Sequence, residues 1–433
     1  MAGIAQALGL LFFLVGIAIA ASGQEKSPNR IVSEKLIGKI HPSLLRSFKV
    51  SPDSKRVAYE TGVSNKRFVV VDGKEEKQYD LIGTGSLMFS PDSKRVGYVA
   101  VSRGWFTGQK QFVVVGGKEE KPYDDIAAGS LIFSPDSKRV AYAARDGSKW
   151  FVAVEGKEER RYDGIVAGNL IFSPDSKRVA YAAKQGSKLL VVVDGKEEKP
   201  YDDIGRLIFS PDSKRVAYGP KDGSKSFVVV DGKEEKQYDG IVSGSLIFSP
   251  DSQRVAYGAK VGDKQFVVVD GKEEKQYDST GASGPTFSPD SKRVAYKATV
   301  GNKWLVVVDG KEENQYDGIS AGTPIFSPDS KRVAYRAYVT KEGNKGFVVV
   351  DGKEEKPYDD IAAGSPLIFS PDSKRVAYGA TVGDKWFVVV DGNEGRQYDA
   401  IVRGRRIVFD RPDSFRYLVV KDSEFYLVEE RIE

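Results

Sequence analysis

The chain has 433 residues, no cysteine, a single histidine, and 66 basic against 61 acidic residues. Lack of cysteine removes disulfides, thiolate metal sites, thiol nucleophiles and lipid attachment at cysteine, and the lone His41 cannot build a multi-histidine metal centre. A net charge of +5 over so long a chain leaves no concentrated basic stripe, which argues against nucleic acid as a partner.

At the N-terminus, Ala7 to Ala20 is an uncharged apolar run, short for a bilayer span and of the length of a secretory h-region. Ala18-Ile19-Ala20 places small residues at the cleavage spacing, although no Lys or Arg precedes the run. Residues 1–22 therefore read as a signal peptide, with an N-terminal anchor as the alternative, and residues 23–433 as the mature domain. No later segment is apolar enough to cross a membrane. The expected location is periplasmic or extracellular.

From residue 50 onward the chain repeats. "FSPDSKRVAY" (133–142) recurs with at most one change, and Ser-Pro-Asp begins at Ser51, Ser90, Ser134, Ser173, Ser210, Ser249, Ser288, Ser327 and Ser370. A period near 39 residues (Ser210 to Ser249), filled with β-type residues, points to propeller blades. The unit from Asn169 to Ile204 shows why. "LIFS" is a short apolar strand stopped at Pro174, which lacks an N–H for the ladder. "RVAYAA" is a second strand and "LLVVV" a third, β-branched and buried on both faces. Asp194-Gly195 forms a type I′ hairpin with positive φ at both positions, and "KEEKPYDDI" returns as a polar fourth strand.

"FSPDSKRVAY" followed by "FVVVDG" resembles the Ser-Pro-Asp, WD-repeat-like blades of TolB-type propellers across residues 42–433. That family usually reads Ser-Pro-Asp-Gly; here Ser93, Ser137 and their equivalents take the Gly place, so the turn must accept a Cβ. The resemblance implies an all-β fold. Our expectation is a single closed β-propeller of about ten four-stranded antiparallel blades, with two smaller propellers as the alternative. After the ninth copy the chain supplies three more strands and stops, whereas "IVSEKLIGKI" stands spare before the first. Ile31 to Ile40 is therefore expected to complete the last blade beside residues 424–430.

The copies are not uniform. Loops joining strands 1–2 and 3–4 ("PDSKR", "DGKEEK") hardly change, whereas those on the opposite rim take every length change: "AVSRGWFTGQK" and "AYVTKEGNK" are longer, "DIGRLIF" shorter. On that rim each 2–3 loop ends in Lys followed by a residue that differs between copies. The candidate binding face is Arg67, Trp105, Lys110, Gln111, Trp150, Leu189, Gln265, Trp304 and Trp386. Aromatics there suit a protein, peptide or glycan surface; the competing reading is that they cap blade packing. The lysines are expected to pair with Asp80, Asp124 and their equivalents, not to bind an anion. On the constant rim "SKR" is expected to pair with "KEEK" of a neighbouring blade.

No nucleophile elbow, phosphate loop or metal cluster appears, and doubled acids such as Asp124-Asp125 lack the spacing of a calcium loop. The expectation is a non-enzymatic exported scaffold, without metal or cofactor, that binds a protein or peptide through its variable face. A multivalent lectin is the alternative, binding glycan through weak sites repeated from blade to blade.

Overall fold

The computed structural model describes residues 30–39, 48–53, 55–104, 108–166, 168–281, 284–322, 324–340, 345–361, 367–401, 407–422 and 424–433. The proposed signal segment, His41 and Trp105 lie outside them. Among the described residues there is no helix, and the strands form ten antiparallel sheets in chain order.

The unit read above becomes sheet four. Val179–Gln185 pairs with Lys188–Val193, which pairs with Lys196–Glu197 across the Asp194-Gly195 turn. Both turn residues have positive φ, 51° and 77°. Val191 to Val193 are buried as expected, because the strand is sandwiched between neighbouring sheets.

The two outer elements differ from the sequence reading. The inner strand is split: Gly164–Ile165 and Ile171–Phe172 both pair with Val179–Gln185, and the segment between them bulges away. The polar fourth strand is also shorter than expected. It is reduced to Lys196–Glu197 and a single bridge from Tyr201 to Leu189, and the Asp203-Ile204 that follows joins the inner edge of sheet five. The segment is cut to two residues in the same way where Gln78, Arg161 or Gln237 stands in the place of Pro200, so the shortening belongs to the repeat and not to the proline. Where "DIGRLIF" is short, Asp203–Phe209 runs as one strand with only a bulge between Ile204 and Leu207.

Successive sheets pack face to face. Nine apolar clusters of described residues join sheet one to two, two to three, and onward to nine and ten. In each seam a tyrosine of the fourth strand meets one of the next sheet, tilted for Tyr123 and Tyr142 and edge-on in the other eight, as Tyr201 meets Tyr218 at 6.3 Å. Phe68, Val70 and Leu418, on the faces that sheets one and ten turn away from sheets two and nine, are also buried.

The termini meet. Arg30–Lys39 lies antiparallel to Glu424–Ile432, from Arg30 opposite Ile432 to Lys39 opposite Glu424, as the outer strand of sheet ten. This join is chemically unlike the other seams. In eight copies the second Glu of "KEE" or its equivalent faces the next sheet's tyrosine, as Glu198 accepts from Tyr218 Oη at 2.9 Å. The ninth copy has Gly395 instead, and the Arg30 guanidinium occupies the vacated space; a Cβ on Gly395 would lie 2.4 Å from its Nη1. Arg30 donates to Val388 O (3.1 Å) and Asn393 O, and pairs with the buried Glu430 at 3.2 Å. Glu430 in turn accepts from Tyr417 Oη. Glu34 takes the place of the first Glu, accepting from Arg396 and Tyr398 of sheet nine.

Candidate functional site

The two rims of the molecule are built differently. On the constant rim, the Ser173 hydroxyl donates to Asp175 Oδ1 (2.6 Å) and accepts from the Arg178 N–H (2.9 Å), closing the Ser-Pro-Asp turn on itself. Arg178 Nε donates to Asp194 Oδ2 at 2.7 Å within the sheet, and its Nη1 reaches Ser213 O and Lys214 O of the next sheet at 2.9 and 2.8 Å. The same turn explains the missing glycine of the Ser-Pro-Asp-Gly pattern. Ser213 sits at φ 66°, a left-handed conformation that costs a side chain about 1 kcal/mol. Its hydroxyl offsets that cost by accepting the Asp175 N–H of sheet four at 2.9 Å. Eight such Asp-to-Ser bonds cross successive seams.

The expected pairing of "SKR" with "KEEK" is not what forms. The arginine pairs with the aspartate of its own hairpin, and the inter-sheet ion pairs run within the "KEEK" segments, Lys199 to Glu234 at 2.6 Å and Lys236 to Glu273 at 2.6 Å. Arginine is held at home because the Asp194 hairpin lies directly across its own strand. A groove of 660 Å³ on this rim is lined by Arg215, Asp231, Glu234, Lys236 and Tyr257. These side chains belong to the same inter-sheet network and recur in nearly every copy, so the groove is part of the frame.

On the varying rim, all nine loop lysines pair with the aspartates named from the sequence. Seven pairs are 2.5–2.9 Å apart, and Lys303–Asp317 and Lys345–Asp359 complete the set. The second oxygen of each aspartate accepts a backbone N–H from the next sheet's 2–3 loop, as Asp124 does from Gly147 at 2.7 Å. The lysine and these N–H groups hold the Asp124, Asp163 and Asp239 carboxyls below their usual range. The Lys110 ammonium is therefore committed to Asp124.

The residue after each lysine faces the end of a seam. Gln111 Nε2 donates to Asp125 Oδ1 (2.8 Å) and its Oε1 accepts the Ile126 N–H; Gln265 accepts the Thr280 N–H at 3.0 Å in the same manner. Leu189, Trp304 and Trp386 are half-buried against the inter-sheet clusters, and Arg67 is exposed. Trp150 is half-buried with Arg145 over its ring at 5.7 Å, and Arg145 also lies 3.7 Å from Asp125.

These residues converge at one place. Between sheets two and three a 440 Å³ cleft is lined by the bulge Gly83–Ser86, by Ala127–Gly129 of the next bulge, and by Val99, Gln111, Asp125 and Trp150. A smaller cleft of 230 Å³ lies between sheets five and six, with Arg206, Lys221 and Ser226 in its wall. Bulge backbone, one aromatic face and one carboxylate offer an extended chain both hydrogen bonds and an apolar contact. Of the eight candidate residues that are described, Gln111 and Trp150 line this one cleft and the other six do not; Trp105 lies outside the described residues. Sequence reading missed the bulges, whose signal was the small-residue run "IGTGS" and "IAAGS" ahead of each "LIF" or its equivalent.

No family model matches the chain, and no curated protein matches it. Among solved structures it is similar to the crystal structure of a eukaryotic initiation factor, at 15% identity over 73% of this chain and 88% of that one, with a TM-score of 0.46. It is also similar to the β-propeller domain of the Trilobed protease from Pyrococcus furiosus (15%, 61% and 92%, TM-score 0.29). TolB from Acinetobacter baumannii is a third (17%, 65% and 78%, TM-score 0.28).

Proposed function

We propose that this chain is an exported, non-enzymatic β-propeller scaffold that binds a protein or peptide partner through its varying rim. The observation that carries the reading is the division of labour between rims. Both rims are braced by repeated bonds between sheets, but one keeps its loop lengths unchanged and the other combines every loop-length change with the cleft at Trp150. Binding residues gather on loops held by a rigid frame. In this reading the ring closes with sheet ten against sheet one. Burial of Phe68, Val70 and Leu418 supports closure. So does chain reach, because Lys39 ends its strand in sheet ten and Lys49 opens sheet one, at most about 35 Å apart.

The experiment is affinity purification from the extracytoplasmic fraction with wild type and with the Trp150→Ala, Trp304→Ala, Trp386→Ala triple variant. The reading expects a partner captured by wild type and lost by a variant that stays folded. Equal capture by both would contradict it. Export rests on the Ala7–Ala20 run and is checked by N-terminal mass spectrometry of the secreted fraction; an intact Met1 on a cytoplasmic protein would contradict it. The non-enzymatic reading rests on the absence of a catalytic motif from the sequence. Turnover of a chromogenic ester or glycoside, lost on one substitution, would overturn it.

A further inference from the structure

Three residues beyond the tyrosine of each second strand, the chain reaches the varying-rim end of that strand. In six sheets the residue there carries no charge: Gly62, Val101, Thr299, Tyr338, Thr381 and Val420. In the four consecutive sheets three to six it is a cation: Arg145, Lys184, Lys221 and Lys260. These four lie one repeat apart in the chain and become neighbours because their sheets pack face to face in order. The shortened "DIGRLIF" adds a fifth, Arg206, which shares the 230 Å³ cleft with Lys221.

Little on the rim neutralises this arc. Lys184, Lys221, Lys260 and Arg206 are exposed and make no ion pair among the described residues, whereas every loop lysine of the same rim is paired. Lys184 and Lys260 stand opposite Gly164 and Gly240 in the strand pairing, so no side chain answers them there. Asp125 and Asp203 stand opposite Arg145 and Lys221. Asp125 accepts from Gln111 and has Arg145 at 3.7 Å; Asp203 Oδ1 accepts the Ile204 N–H at 2.9 Å and forms no ion pair with either cation of its cleft. The loop aspartates Asp163, Asp202 and Asp239 are each held by a loop lysine and a backbone N–H of the next sheet. Asp146 and Asp222 pair with Arg161 and Lys188. Five cations thus share the arc with Asp125, Asp203 and, at the sheet-six end, Asp263. At its other end the arc runs into the 440 Å³ cleft, where Arg145 lies over the Trp150 ring.

We propose that this arc binds an extended acidic segment of a peptide or protein partner, with carboxylates along Arg145, Lys184, Lys221 and Lys260 and an apolar side chain in the cleft at Trp150. The inference rests on the varying rim being the binding face. Packed sheets stand about 10 Å apart, so the cations recur at about the length of three extended residues. A polyproline-type chain turns every third side chain to one face, so acids at every third position fit the arc. Exposed charge pairs add little affinity singly, so the arc selects acidic sequence and speeds encounter while the cleft holds the apolar anchor.

Fluorescence anisotropy with the full chain tests the arc, using a labelled peptide of Leu followed by repeated Glu-Pro-Pro. Binding is expected at about 20 mM salt and should weaken at about 300 mM. The same peptide with Gln for Glu should bind at least about tenfold more weakly. The triple variant Lys184→Glu, Lys221→Glu, Lys260→Glu should lose binding to the same degree while keeping the wild-type Tm, since these side chains are exposed. Lys94→Glu, Lys177→Glu, Lys214→Glu makes an equal charge change on the constant rim and should leave binding unchanged. No binding of the acidic peptide at about 1 mM, or equal loss in both triple variants, would overturn the proposal. So would a DNA duplex or a heparin oligosaccharide that bound more tightly than the peptide. Partner capture lost in the tryptophan triple variant but kept in the Lys184, Lys221, Lys260 variant would overturn the acidic segment while leaving the rim reading intact.

Discussion

Substituting Gly395 by Glu restores the residue type that eight other copies carry, and a change toward a repeat's own consensus ordinarily stabilises. Here the opposite is expected. A glutamate at 395 needs the space that the Arg30 guanidinium fills, since even a Cβ would lie 2.4 Å from its Nη1 and 3.0 Å from Val388 O, so the arginine must move. Arg30 would lose its bonds to Val388 O and Asn393 O, and Glu430, whose side chain is 0% exposed, would lose its ion pair. Removing one partner of a buried pair costs about 3–5 kcal/mol. A new hydrogen bond from Tyr417 to the introduced carboxylate returns about 1 kcal/mol, leaving a net loss of about 2–4 kcal/mol. The loss falls on the strand Arg30–Lys39, so native-state hydrogen exchange is the assay. Amides of Ile31 to Lys35 should exchange about 30- to 700-fold faster if their opening is a local one. In an Arg30→Met background the same substitution should add little, since both changes remove one set of contacts. Unchanged or slower exchange in Gly395→Glu would refute the latch.

Ser213→Ala keeps the left-handed strain and orphans the Asp175 N–H, and should cost about 1–3 kcal/mol in urea unfolding, whereas Ser213→Gly relieves the strain and should cost less than the alanine change. Equal costs would remove the hydroxyl from the account. The depressed aspartate carboxyls of the varying rim stabilise the fold above their unfolded value of about 3.9 and lose that contribution as pH falls through their lower folded values. Thermal melts should therefore fall away below pH 4, less so in Asp124→Asn; a flat profile from pH 5 to 2 would contradict the pairing. Burial and the Glu197 bond push Tyr162 up to about 12, and burial with Glu273 does the same for Tyr238. A raised tyrosine contributes stability that is intact below the unfolded value near 10 and lost as pH rises through the folded one. Absorbance titration should show seam tyrosines ionising together with unfolding above pH 10; ionisation at 10 without unfolding would contradict their burial.

The elements legible in the sequence were those whose chemistry is local. Asp-Gly turns dictate their own φ angles, Lys and Asp on one rim find each other because the bridge between the residue after the lysine and the tyrosine before the aspartate sets them side by side, and the β-branched third strand declares its burial. The spare strand at one end and the missing one at the other predicted the pairing of Arg30–Lys39 with Glu424–Ile432. What was not legible depends on the neighbour across a seam. Arginine of "SKR" chose its own hairpin because of geometry that spacing does not encode. Arg30 and Gly395 are far apart in sequence and meaningful only as a pair. Lys297 and Arg336 are buried by the adjoining sheets with no local sequence signal for it. Leu189, Trp304 and Trp386, read as a candidate face, are half-buried against seam cores, which reduces the surface they present.

The central claim, a structural rim and a working rim, is tested most directly by placing a photo-crosslinking residue at positions on each. Arg67, Gln111 and Trp150 report on the varying rim, and Lys94, Lys177 and Lys214 on the constant one. With the native extracytoplasmic fraction, the account predicts one discrete partner band from the first set and none from the second. Bands confined to the constant rim, or the same bands from both, would contradict it.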